Sequence, residues 1–165
     1  MAEFEAIDTQ ETHEAFAKKI NGEIWALLEK PDRTPDEDER MVIAAHASYY
    51  HWLHAGTHVH EQRGERMLAH VYTVLGRDEP ALHHARRCIH LTERYTHEIK
   101  DFDRGYAHEA LARARALTGQ VEEARRERQK AGELGAQIQD PEDRQIFLGD
   151  LQGGPWYALE GTSTT

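Results

Sequence analysis

Disulfide bonding is missing from this sequence as a folding device, because Cys88 stands alone and no internal bridge can staple the chain. Long apolar runs are missing too. No stretch approaches about 18 consecutive hydrophobic residues, so no membrane-spanning helix is expected. Basic charge is in short supply: 20 Lys and Arg stand against 30 Asp and Glu, a formal net charge of −10. That balance argues against general nucleic-acid binding, which needs clustered cations facing phosphate. The opening MAEFEAIDTQ is acidic where a signal peptide is basic and then apolar. With the single cysteine, this makes the cytoplasm the expected compartment.

Proline is scarce, at 5 residues, so long helices go uninterrupted. What the chain does contain is a hydrophobic fraction of 39% spread at helical spacing over 165 residues, enough for one domain with its own core. The first helix is expected from Thr9 or Thr12 to the Lys30-Pro31 stop, with Ala15, Phe16, Ile20, Ile24, Trp25, Leu27 and Leu28 as its apolar stripe. A second is expected over 36–55, with Met41, Val42, Ala45, Ser48, Tyr49, Trp52 and Leu53 on one face. The third, 60–75, turns Gly64, Leu68, Val71 and Val74 inward and ends at Gly76, where a left-handed cap residue is wanted. Asp78 caps a fourth that runs to about His97, and Gly119 separates a fifth (103–118) from a sixth (121–139). Asp140-Pro141 starts a short seventh, reaching about residue 152; the stretch 153–165 is expected as a mobile tail on which Trp156 and Tyr157 are the residues able to dock. No stretch reads as a strand. The fold class is therefore all-α, about seven helices in antiparallel pairs.

The helices repeat. Leu68-Ala69 and Leu111-Ala112 lie 43 residues apart, as do Gly76 and Gly119, and Ala81 and Ala124; Trp25-Ala26 precedes Leu68-Ala69 by the same interval. A period in this range is the mark of a solenoid. The central unit, with Leu68, Ala69, Tyr72, Gly76, Ala81, Ala85 and Cys88, resembles the tetratricopeptide repeat. The copy around Leu111 departs from that pattern, carrying Arg115 in the aromatic position and Arg128 in a large apolar one. The 43-residue interval exceeds the family's usual spacing of about 34, so each helix should be about a turn longer. Repeats are placed at about 19–61, 62–104 and 105–147 within a single domain spanning 1–152, with 141–152 as the capping helix. A vaguer similarity, carried by AHASYYHW and RGERMLAHVYTVLGRDEPALHHARRC, is to small uncharacterised bacterial proteins and implies no activity.

The resemblance implies a protein- or peptide-binding module whose concave groove is lined by the first helix of each pair. Transferring the family's groove positions selects Arg63, Arg66, His70, Thr73, Tyr106, Glu109 and Arg113. The four basic side chains among them suit an acidic peptide or a C-terminal carboxylate. The competing description is that these are solvated helix flanks, with Glu109 and Arg113 a simple i,i+4 pair. The open ends of a short solenoid also make a homodimer an expectation. No cofactor is implied.

The chain is rich in histidine, with 12 residues. His54 and His58 are four apart, and His46 lies at the core edge of the second helix, so His46, His54 and His58 are metal-ligand candidates. No HExxH or CxxC string supports them, and Gly56-Thr57 interrupts the helix between His54 and His58. The alternative function is thus a small His-rich metal-binding protein or a hydrolase using the second to fourth helices, with His46, Glu65, His70 and Asp103 as the residues to assemble. Nothing local unites a nucleophile, a base and an orienting group. Cys88, on an apolar face beside Ile89, reads as a packing residue.

Overall fold

The structure is a computed structural model that describes residues 7–160. Its elements are α1 (Gln10–Glu29), α2 (Pro35–Ala55), α3 (His58–Val74), α4 (Asp78–Arg94), α5 (Asp101–Leu117), α6 (Val121–Ala136) and α7 (Pro141–Gln152), followed by a 3₁₀ turn at Tyr157–Leu159. The described residues contain no strand. No described helix is long and apolar enough to cross a membrane.

Local chemistry sets the helix ends. Thr34 and Glu37 close a reciprocal capping box, with each backbone N–H donating to the other side chain, and Pro35 takes the first helical position. Asp140 accepts from the N–H groups of Glu142 and Asp143 at 2.9 Å each, again with proline next. Gly76 and Gly119 adopt φ of +68° and +77°, a conformation that costs other residues about 1 kcal/mol or more. Around each, two hydrogen bonds close the same terminal turn: Gly76 to Thr73 and Arg77 to Tyr72 in one copy, Gly119 to Ala116 and Gln120 to Arg115 in the other. The 43-residue interval is thus a repeat of backbone geometry as well as of letters.

Each helix packs on the next through connections of two to six residues, forming an α-solenoid of antiparallel pairs. Ile24, Met41, Leu68 and Val71 fill the core between α1, α2 and α3, and small side chains such as Ala69, Ala81, Ala85 and Ala114 let α3, α4 and α5 approach closely. The third core is built on Phe147, which is 0% exposed and lies where a Cβ on Gly135 would come within 2.3 Å of its ring. A fully buried phenylalanine of this kind is worth about 3–5 kcal/mol.

Two departures from the sequence-based expectations shape the site. First, α3 stacks on α5, but α1 has no comparable packing against α3. Trp25, expected in the buried stripe, is consequently 39% exposed in the gap, and Phe16, Leu53 and Val74 are exposed as well. Second, the expected tail is not free over 153–160. Trp156 is only 4% exposed and, with Leu159, joins the core of α5, α6 and α7. Helical periodicity carries no information about these contacts, because they are made by an irregular segment on side chains some forty residues earlier.

Candidate functional site

The gap beside α1 opens as a cleft of about 470 Å³, walled by Trp25 from α1, Tyr49 and Trp52 from α2, Arg63, Arg66 and Met67 from α3, and Phe102 and Tyr106 from α5. A second cleft of about 310 Å³ shares Trp25, Arg66 and Tyr106 with it and continues past His70, Thr73, Glu109 and Arg113 to the segment after α7. All seven groove positions therefore line one concave surface. Helical spacing explains this: residues 63, 66, 70 and 73 fall on one face of α3, as 106, 109 and 113 do on α5.

The basic character expected of this surface is largely neutralised from within. Arg63 makes a bidentate pair with Asp103, at 2.9 and 2.8 Å, and Asp103 is 2% exposed. Arg113 is 8% exposed and fully engaged: Nε donates to Glu109, Nη1 to the Pro155 carbonyl at 2.8 Å, and Nη2 to the carbonyls of Asp150 (2.8 Å) and Gly153 (2.9 Å). Glu109 and Arg113 are thus a buried pair holding another segment, where the sequence suggested a solvated i,i+4 contact. His70 carries no charge at neutral pH, because burial, reinforced by the positive charges of Arg66 and Arg113, pushes its pKa down to about 4.

Arg66 is different. Its guanidinium lies 4.0 Å from the centroid of the Tyr106 ring and has neither an ion pair nor a hydrogen bond among the described residues. The cation–π contact holds the group over the ring and leaves its N–H groups without a partner. His70, whose ring centroid is 6.2 Å from that of Trp25, likewise has no hydrogen-bond partner among the described residues. Tyr106 donates its hydroxyl to Asp150 at 2.5 Å; burial, with the Asp150 bond and charge, raises its pKa and keeps it a donor. Thr73 uses its hydroxyl on the Ala69 carbonyl, and its own carbonyl accepts from Tyr157 at 2.9 Å.

The hydrolase candidates are committed to separate neighbours. Asp103 serves Arg63, and His70 lies in the groove. His46 bonds the Tyr72 hydroxyl at 2.9 Å. Glu65, 1% exposed, accepts from Tyr49 on α2 at 3.0 Å and from His84 and Arg87 on α4 at 2.7 and 2.5 Å. Burial raises the Glu65 pKa, but these three bonds outweigh it and hold the carboxyl below its ordinary range. This polar hub cross-links three helices. Its histidine, His84, brings His46 within 5.8 Å ring to ring, yet neither lines the groove.

The metal candidates are likewise scattered. His54 stacks on His13, which in turn shares a 2.8 Å Nδ1 to Nδ1 hydrogen bond with His51; His58 stacks on Tyr95 and bonds Glu98. Among the described residues no group of three or more His, Cys, Asp or Glu side chains is arranged to hold a metal ion. Cys88 is fully buried, and desolvation pushes its thiol up to about 12, which suits packing.

Sequence reasoning misses Trp25 and Trp52 as cleft walls, Asp150 as the partner of Tyr106, and the hold of Arg113 on 153–155, while naming Trp156 and Tyr157 as the residues able to dock. The available signal for the last was the aromatic pair directly after Gly153-Gly154-Pro155. No family profile, curated protein or solved structure matches this chain.

Proposed function

We propose that this chain is a non-catalytic, tetratricopeptide-like binding module that takes a partner peptide bearing a carboxylate into the cleft between α1, α3 and α5. The observation that carries this reading is Arg66: at the junction of the two cavities, over the Tyr106 ring, and without an ion pair among the described residues where Arg63 and Arg113 are paired. A carboxylate arriving there gains a charge-assisted bidentate bond in a semi-enclosed site. The walls of Trp25, Trp52, Tyr49, Met67 and Phe102 suit an apolar or aromatic side chain next to it. Both the protein reading and the peptide reading use the same contacts, since a folded partner presents such a segment as a loop or chain end.

The test is a screen of short synthetic peptides with free carboxyl ends, ranked by calorimetry on the purified protein. Binders should lose roughly tenfold or more in affinity to Arg66→Gln, the value of one charged hydrogen-bonded contact. Arg86→Gln, which changes an exposed arginine on α4 outside both clefts, serves as the control. Equal affinity of every binder for wild type and Arg66→Gln would remove the cleft assignment.

A further inference from the structure

The segment after α7 is held largely by its main chain. Arg113 collects the carbonyls of Gly153 and Pro155, together with that of Asp150 in the last turn of α7, and these contacts are indifferent to side-chain identity. Side-chain selectivity comes from one aromatic residue. The guanidinium groups of Arg113 and Arg128 each lie 4.1 Å from the centroid of the Trp156 ring, and Trp156 donates its Nε1–H to the Leu151 carbonyl. Tyr157 then reaches across to α3, donating to the Thr73 carbonyl.

The receiving groups all lie on helices. Arg113 is charge-balanced by Glu109 from its own helix, Arg128 comes from α6, and the Thr73 and Leu151 carbonyls come from α3 and α7. The segment buries Trp156 and Leu159 against them but leaves open space on either side. It is flanked by the 310 Å³ cleft on one side and by a cavity of about 420 Å³ on the other, where Leu159 faces Arg125, Arg128 and Gln129. Tyr157 also sits at φ +50°, a left-handed conformation costing about 1 kcal/mol or more for such a residue. A receptor that lies on helices, grips main-chain carbonyls and has open space beside its occupant has the attributes of an exchangeable peptide site.

Resting on the peptide-binding reading of the groove, we propose that its Arg113, Arg128 and Thr73 end is a receptor for extended peptides of Gly-Pro-aromatic type. Residues 153–159 are its resident occupant, and a partner peptide of the same chemistry enters by displacing them. A partner engaged at both ends then places its Pro-aromatic part on Arg113 and Arg128 and its carboxylate on Arg66, along one continuous groove.

The test uses the full chain and a fluorescein-labelled synthetic peptide carrying residues 151–160. Trp156→Ala weakens the resident segment without touching the receptor. The labelled peptide should bind Trp156→Ala at least tenfold more tightly than wild type in fluorescence anisotropy, and the same peptide with alanine for its tryptophan should not bind. Adding Arg128→Gln to Trp156→Ala should weaken the binding again. A folded Trp156→Ala protein that does not bind the peptide overturns the proposal; so does equal binding to wild type, or a Trp156→Ala protein that lacks the helical circular dichroism of wild type. The two readings fail separately. Carboxylate peptides that depend on Arg66 while the labelled segment does not bind leave the cleft standing and remove the receptor, and binding of the labelled segment with no Arg66-dependent peptide does the reverse.

Discussion

Two buried charges, Glu65 and Arg113, sit on successive stacked helices and are used in opposite ways. Glu65 is served by side chains from two neighbouring helices, so its partners are specified residue by residue and the hub locks α2, α3 and α4 together. Arg113 is served by one acid of its own helix, the Asp150 carbonyl in the last turn of α7 and the Gly153 and Pro155 carbonyls of the irregular segment, groups that any sequence can supply. Glu65 ties rigid helices to one another, whereas Arg113 ties an irregular segment to α5. The same contrast separates Arg63, tied to the buried Asp103, from Arg66, which makes no ion pair among the described residues.

The comparison breaks most visibly at Glu65. Glu65→Ala strips Tyr49, His84 and Arg87 of their shared acceptor and should cost roughly 3 kcal/mol. In a chain of this size that lowers the thermal midpoint by roughly 6–12 °C in a circular-dichroism melt. Arg87→Gln, which alters a half-exposed partner, should cost under about 1 kcal/mol.

Acid should reach the two regions in sequence. The His70 pKa in the folded protein is about 4 against an ordinary 6.5, so the unfolded chain binds more protons in between. Stability is then full above pH 6.5 and falls towards pH 4, by about 3 kcal/mol from this residue. His46, His51 and His60, also held below their ordinary value chiefly by burial, act in the same direction. The Glu65 carboxyl is held below its ordinary 4.5, so its contribution persists above that pH and is lost only on further acidification. Denaturant titrations from pH 7 to pH 3 should show both limbs, with the upper one shallower in His70→Gln. An unchanged upper limb in that variant would show that the groove histidine is not desolvated.

The most local effect belongs to Tyr157→Phe, which removes one hydrogen bond between the irregular segment and α3. It should cost about 1 kcal/mol of docking, raising amide exchange in the segment roughly fivefold while the global melting point moves little.

These regions also differ in how far the sequence discloses them. Helix ends are legible because their causes are local: Thr34 with Glu37, Asp140 with Pro141, and glycines at 76 and 119 act within a few residues. The groove positions come from the tetratricopeptide resemblance, and helical spacing keeps 63, 66 and 70 on one face of α3 and 106 and 113 on one face of α5. Which of those cations is left unpaired is not legible. That depends on Asp103 meeting Arg63 across 40 residues and on Pro155 meeting Arg113 across 42. Trp25 misleads for a related reason: its stripe is amphipathic, but α1 has no helix closely packed against that edge.

Native-state hydrogen exchange tests the contrast between scaffold and replaceable segment most directly. Leu159 and Glu160 donate their backbone N–H groups to the Trp156 and Tyr157 carbonyls, giving the segment its own reporters beside the helical amides of α3 and α5. The account predicts that these two amides exchange through a local opening at least a hundredfold more frequent than the opening that exposes Leu68 or Ala112, with the helices unaffected. Exchange of Leu159 and Glu160 only through the same global unfolding as α5 would contradict it, and would make residues 153–159 a fixed part of the core.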